Sequence, residues 1–240
     1  MNDTNELGQP VGFALPDWEP PSRPLRCALE GRYCRLEPLN AVQHAEALFA
    51  ANALDDEGRN WTYLPYGPFA DLEDYRAWVD QVSGGEDPLF FAIVEQATGL
   101  AAGVASYLRI APESGSIEVG HINYSPLLQR TRAATEAMCL MMEQAFALGY
   151  RRYEWKCNAL NIPSREAAQR LGFSYEGLFR QATVVRGRNR DTAWYSVIDA
   201  EWPALEAAFG QWLDPANFDA QGQQRRSLSS LTAPLLVQRG

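Results

Sequence analysis

From residue 33 to residue 200 the apolar positions follow two rhythms, strict alternation and helical spacing, and each change of rhythm marks a new element. Residues 33–39 read as a short strand. Asn40 then caps a helix carrying Ala41, Ala45, Leu48, Phe49 and Asn52. Asp71 starts a second helix, with Leu72, Tyr75, Trp78, Val79 and Val82 on one face, and Gly84-Gly85 ends it. Residues 89–95 and 100–110 are two strands about a Thr98-Gly99 turn, and 112–116 turn again into a strand over 117–124. A long helix over 132–148 puts Ala134, Met138, Met141, Met142, Ala145 and Leu148 on its apolar face and stops at Gly149. A strand at 153–157, a short helix at 163–171 with Gly172 at its C-terminal end, and strands at 175–185 and 191–200 about a turn at 186–190 complete the series.

This order predicts an α+β domain over residues 31–202, built on one mixed, mostly antiparallel central sheet flanked by helices. Residues 1–30 hold Pro10, Pro16, Pro20, Pro21 and Pro24, too dense for a helix or a central strand. They are expected to drape over the domain, anchored by Phe13 and Trp18. A C-terminal extension, 203–240, opens with an amphipathic helix over 202–213, passes through a polar run at 221–226 and ends in an apolar stretch at 228–237. The tail packs either on the domain or on a second subunit, so a homodimer stays open.

The chain has 240 residues, of which 46% are hydrophobic, enough for a full core. A net charge of −9 leaves no broad basic field for nucleic acid or an anionic membrane, so any bound anion must be held by a local arrangement. No basic start followed by an apolar run opens the sequence, and no apolar stretch has the length of a membrane span. Cys27, Cys34, Cys139 and Cys157 form no CxxC pair and are expected at buried positions, as reduced thiols of a cytoplasmic protein. The two histidines, His44 and His121, lie far apart, which argues against a zinc site.

The candidate chemistry begins at Gln129-Arg130-Thr131-Arg132-Ala133-Ala134-Thr135, where a strand meets the long helix. A helix N-terminus offers free N–H groups and partial positive charge, so arginines there are ill placed unless an anion sits nearby. Small residues at 133 and 134 leave room for a phosphate to approach the backbone. The competing reading is a solvated arginine pair. In its element order and in this segment the chain resembles the GNAT superfamily of acetyltransferases, whose Gln/Arg-x-x-Gly-x-Gly/Ala signature grips the CoA pyrophosphate. Gln129 and Ala134 fit the pattern, while Arg132 stands where the glycine is usual. The run Ala134-Thr135-Glu136-Ala137 is similar to that of the branch acetylating ribosomal-protein N-termini. A second stretch, from Asn158 through Asn161 and Ser164 to Arg170-Leu171-Gly172-Phe173, resembles the Asn-x-x-Ser…Leu-Gly-Phe segment of the same family.

The resemblance implies acetyl-CoA as donor, with CoA as product, and a small-molecule or peptide amine as acceptor. It implies that strands 117–124 and 153–157 splay around the pantetheine arm, with backbone N–H groups at Ile122, Asn123 and Tyr124 holding the thioester carbonyl. Asn161 would bond the pantetheine and Ser164 would protonate the leaving sulfur; both also read as helix-cap residues. Arg132 would either reach a phosphate with its donors or turn away and weaken the site. Glu118 is the candidate base. Regular alternation puts it with Gly120, Ile122 and Tyr124, and puts His121 and Asn123 on the opposite face with Ile117 and Val119, unless a bulge intervenes. Trp61, Tyr63, Tyr66 and Trp194 are candidates for the acceptor wall, where aromatic faces with the nearby Asp55, Asp56 and Glu57 would suit a cationic amine. Two other functions stay open: a non-catalytic acyl-CoA-binding protein or sensor, and a protein acting through its extensions.

Overall fold

The computed structural model describes residues 3–240. A small ribbon, β1 (Asp3–Thr4) with β2 (Pro10–Val11), precedes the domain. Then follow β3 (Leu29–Glu30), β4 (Cys34–Pro38), α1 (Ala41–Asn52), α2 (Leu72–Ser83), β5 (Leu89–Glu95), β6 (Ala101–Ala111), β7 (Ser116–Tyr124), α3 (Arg132–Ala147), β8 (Arg152–Asn158), α4 (Ile162–Arg170), β9 (Ser174–Val185), β10 (Arg188–Ile198), α5 (Trp202–Leu213) and α6 (Leu228–Thr232). One eight-stranded sheet runs β3-β4-β5-β6-β7-β8-β10-β9, antiparallel throughout except for β7 with β8. No helix among the described residues is long and apolar enough to cross a membrane.

The helix starts follow local chemistry. The Asn40 side chain accepts from the N–H groups of Val42 and Gln43, and the Asp71 side chain accepts from that of Asp74. Each cap is worth about 1 kcal/mol. Alternation along β5 then splits the core in two. Leu89, Phe91 and Ile93 face α3 to α6, whereas Phe90, Ala92 and Val94 face α1 and α2. Since α1 and α2 cover only the β4–β6 part of their face, the same face of β7, β8, β10 and β9 is left without a helix.

Both extensions lie on their own domain. Trp18 is half-buried against the Arg151 guanidinium, and Arg23 and Arg26 donate to the carbonyls of Ile110, Ser83 and Gly85. Phe13, expected as a second anchor, is 57% exposed instead. The tail is tied down by Thr232 Oγ1, which donates to Arg170 O (2.9 Å), and by Gln238 O, which accepts from the Tyr175 N–H (3.0 Å). Two further expectations change. Cys27 is exposed, while the other three cysteines are buried. The last hairpin turns at Arg186-Gly187 alone, both at positive φ (49° and 71°), so β10 starts three residues earlier than the alternation suggests.

Candidate active site

The site is built where the one parallel seam opens. β7 and β8 pair from Ser116↔Arg152 to Val119↔Trp155 and no further. Beyond that point β7 stays with β6 as far as Tyr124, and β8 stays with β10 as far as Asn158. The facing edges of Gly120–Tyr124 and Lys156–Asn158 therefore have no strand between them. A bulge explains the parting: Ser106 pairs with Gly120 and Val104 with Asn123, so His121 and Ile122 together oppose Ala105. His121 takes φ of 51°. The extra residue reverses the alternation, which corrects the expected faces. Ile122 and Tyr124 pack with Ile117 and Val119 against the α3 side, whereas His121 joins Glu118 on the opposite one. A second bulge, at Arg109 (φ 47°), is held by Asp87, whose carboxylate accepts from the N–H groups of Arg109 and Ile110 (2.8 and 3.0 Å). It turns Arg109 toward Glu118 as well.

On the α3 side the helix opens at an exposed loop. Thr131 caps it, accepting from the Ala134 N–H at 3.1 Å, and donates to Leu128 O at 2.7 Å. The N–H groups of Arg130, Arg132 and Ala133 have no hydrogen-bond partner among the described residues. Arg130 is the residue at positive φ (62°), so the backbone irregularity falls there and not at Arg132, the first helical residue. The Arg132 guanidinium turns away from this turn. It lies 3.9 Å from the ring centroid of Phe218 and 5.4 Å from that of Tyr33. The Gln129 amide donates to Asn60 Oδ1 (2.9 Å) and Tyr124 O (2.8 Å), latching the α1–α2 loop to the start of α3. Thr135, expected at the cofactor, is 4% exposed and accepts from Arg170. Glu136 accepts three N–H bonds, from Arg32, Tyr33 and Cys34 (2.9, 2.6 and 2.8 Å), and so fixes α3 to the turn before β4. Across the gap Asn161 caps α4 by accepting from the Ser164 N–H (3.3 Å). Ser164 Oγ accepts from Trp155 Nε1 (3.1 Å), and its hydroxyl proton faces sulfur, that of the Cys157 thiol.

On the opposite face stands a chain of charges. Glu118, 2% exposed, accepts from Arg109 Nη1 with both oxygens (2.8 Å each) and pairs with Lys156 Nζ (2.9 Å). Lys156, the one lysine of the sequence, also pairs with Glu154 (2.6 Å) and lies 3.8 Å from the ring centroid of Trp194. Burial pushes the Glu118 carboxyl above the usual range, against the pull of Lys156 and then Arg109. Burial, with the Arg109 charge, lowers His121 to about 4, so its ring is neutral near pH 7. His121 stacks on Tyr66 (centroids 5.6 Å apart), which in turn packs on Trp78. Trp194 stacks on Phe179 (4.4 Å). Tyr63 Oη donates to Leu160 O (3.1 Å), so the α1–α2 loop bridges the gap to the β8–α4 loop.

Trp61 is turned into the core of its own loop, 5% exposed against Phe69, and is not part of the wall. The acidic residues before it face elsewhere: Asp55 accepts from the Asn60 N–H and Glu57 pairs with Arg59. Sequence reasoning missed Arg109, Lys156 and Arg190. The signal was present in two of them, a lone lysine and an arginine inside an otherwise apolar strand.

A parallel seam that parts beside an exposed helix start with three free N–H groups, with the Ser164 hydroxyl on one face and the buried Glu118 carboxylate on the other, is an arrangement that suits acyl transfer. The chain belongs to the GNAT acetyltransferases: the model of the acetyltransferase (GNAT) domain matches residues 34–174. The chain is similar to the crystal structure of a GCN5-related N-acetyltransferase from Brucella melitensis, at 50% identity and a TM-score of 0.89, over 91% of this chain and 100% of that one. It is also similar to a probable GNAT-family acetyltransferase from Chromobacterium violaceum, at 41% identity and a TM-score of 0.75, over 82% and 98%. An uncharacterized N-acetyltransferase, p20, from Bacillus licheniformis is 27% identical over 58% of this chain and 80% of its own length. Solved structures of the same fold include acetyltransferases of ribosomal proteins, at 18% and 22% identity, a likeness of fold alone.

Proposed function

We propose that this N-acetyltransferase takes its acetyl group from acetyl-CoA and passes it to a primary amine by direct attack on the thioester. The observation that carries the reading is the parting of β7 and β8 after Val119 and Trp155, beside the free N–H groups at the start of α3. Acetyl-CoA would supply the activated acetyl group. The N–H groups of Arg130, Arg132 and Ala133, at the positive end of α3, suit its phosphates. The unpaired edge of β7 at Ile122–Tyr124 suits the pantetheine and the thioester carbonyl, and the side-chain polar atoms of Asn123, buried without a partner, fit a polar arm beside them.

The two proton-handling groups stand on opposite faces of the sheet. Glu118 serves as base on the acceptor side, because its raised carboxyl is closer to the amine it must deprotonate than an ordinary carboxylate is. Ser164 donates to the departing sulfur on the α3 side, held by Trp155 and by the Asn161 cap. Arg109 and Lys156 hold the Glu118 carboxylate in place beside the gap.

The test is to titrate purified protein with CoA while following its melting temperature, and to follow free thiol with acetyl-CoA and a panel of amines. A rise in melting temperature with CoA, and thiol release that depends on an amine, are the expected results. No shift at saturating CoA would remove the donor site. A shift without thiol release on any amine would leave a binding protein.

A further inference from the structure

We infer that the acceptor amine carries a carboxylate, and that Arg190 is the residue that binds it; the inference rests on the acetyltransferase reading for the place of the amine, and on the charges of the cleft for the carboxylate. On the helix-free face of β7, β8, β10 and β9, three cations meet three carboxylates. Arg109 and Lys156 hold Glu118, Lys156 and Arg152 share Glu154, and Arg152 also holds Glu176. Arg109, Lys156 and Arg152 are thereby balanced by Glu118, Glu154 and Glu176. Arg190 is left over.

No carboxylate among the described residues is paired with that guanidinium. Arg190 makes no salt bridge among the described residues, and its Nε is buried with no hydrogen-bond partner. It stands on β10, two residues from Thr192 and four from Trp194, whose register partners Asn158 and Lys156 line the open end of β8. The charges of Arg109 and Glu118, and the Cys157 thiol, lie close enough to act on it, and burial pulls its pKa down. A second donor is left over nearby, the Trp194 Nε1, also buried without a partner. In a chain of net charge −9, a half-buried arginine with no anion is an expensive feature unless a ligand brings the anion. The planar fork of a guanidinium matches a carboxylate better than any neutral group. The stacked faces of Trp194 and Phe179 form the apolar wall beside it. Of the carboxylates expected to receive a cationic acceptor, Asp55 and Glu57 are occupied within their own loop, and Asp56 is exposed.

Binding separates this inference from the reaction. CoA-saturated protein is titrated calorimetrically with glycine, β-alanine and 4-aminobutyrate, and with L-leucine and L-phenylalanine, each beside its carboxamide. At least one acid is expected to bind tighter than its amide by about tenfold or more. Arg190→Gln should abolish that preference, and Arg190→Lys should restore part of it, because charge returns without the fork. Arg190→Gln should also raise the melting temperature of the ligand-free protein, since a buried charge without a partner is removed. Amides binding as well as acids at every spacing, or a preference that survives Arg190→Gln, would overturn the inference. A preference for acids without any thiol release would keep it and remove the transferase reading; turnover of amides and acids alike would do the reverse.

Discussion

On the α3 side of the gap the free polar groups are backbone N–H groups of near neighbours, Arg130, Arg132 and Ala133, at the start of the helix. On the other face the polar groups are side chains drawn from four strands: Arg109 from β6, Glu118 and His121 from β7, Lys156 from β8, Arg190 and Trp194 from β10. The first arrangement is cheap to encode and indifferent to what lies beyond the phosphates. The second depends on two bulged residues, Arg109 and His121, both at positive φ, where a non-glycine residue stores strain. Strain of that kind persists only where the surrounding structure holds it, as Asp87 does for Arg109. In the proposed function one side would take a fixed nucleotide tail, and the other would keep the selectivity.

The largest expected effect tests whether the charged face does chemistry or only shapes the cleft. Glu118→Gln should lower kcat/KM by roughly 100- to 10,000-fold, the range of general base catalysis, with CoA affinity unchanged. The acidic limb of the wild-type pH profile should lie above the ordinary carboxylate range, because burial raises Glu118, and should vanish in the variant. A variant that keeps both rate and limb would assign deprotonation to water and reduce Glu118 to the partner of Lys156.

The contrast between the two sides also explains what could be read from the sequence. Caps act over three residues, so Asn40, Asp71 and Asn161 declared their helices. The start of α3 was legible from the change of rhythm and from its arginines, while its cap, Thr131, was not. The bulges could not be placed, although one near His121 stood as the alternative to regular alternation, because each exists only as a mismatch between β6 and β7, and neither strand records its partner's register. A regular β7 would put His121 among the α3 contacts; one extra residue puts it on Tyr66. Arg132 stayed open between a phosphate and turning away for a related reason. Its partners Tyr33 and Phe218 lie far away in sequence, and local reasoning could see only the helix dipole.

The bulge at His121 can be probed through acid stability. The unfolded imidazole takes up a proton near pH 6.5, whereas the folded one resists until about 4, so between those values the unfolded state binds more protons. Stability from this residue is therefore complete above pH 6.5 and lost as the pH falls toward 4. The loss is at most about 3 kcal/mol. His121→Phe, which keeps an aromatic ring against Tyr66, should flatten the fall in unfolding free energy between pH 7 and 4 by up to that amount. Denaturant melts at several pH values would show it. An unchanged slope would mean that His121 is already solvated, and the bulge open, in the free protein.

The smallest expected effect falls on the α3 side, at the arginine that replaces the family's glycine. If the phosphates are held by backbone N–H groups, Arg132 has no part in CoA affinity, and its stacking on Tyr33 and Phe218 is structural. Arg132→Ala should then lower stability by about 1 kcal/mol, the worth of a partly desolvated cation–π contact. Phe218→Ala should cost about the same, and the double variant should cost less than the sum, because the two residues share one interaction. CoA affinity, measured by calorimetry in each variant, should change by less than about threefold. A loss of more than about tenfold on Arg132→Ala alone would show that the guanidinium leaves its aromatic clamp when CoA arrives. The α3 side would then read phosphate by side chain as well as by backbone, and the division between the two sides of the gap would not hold.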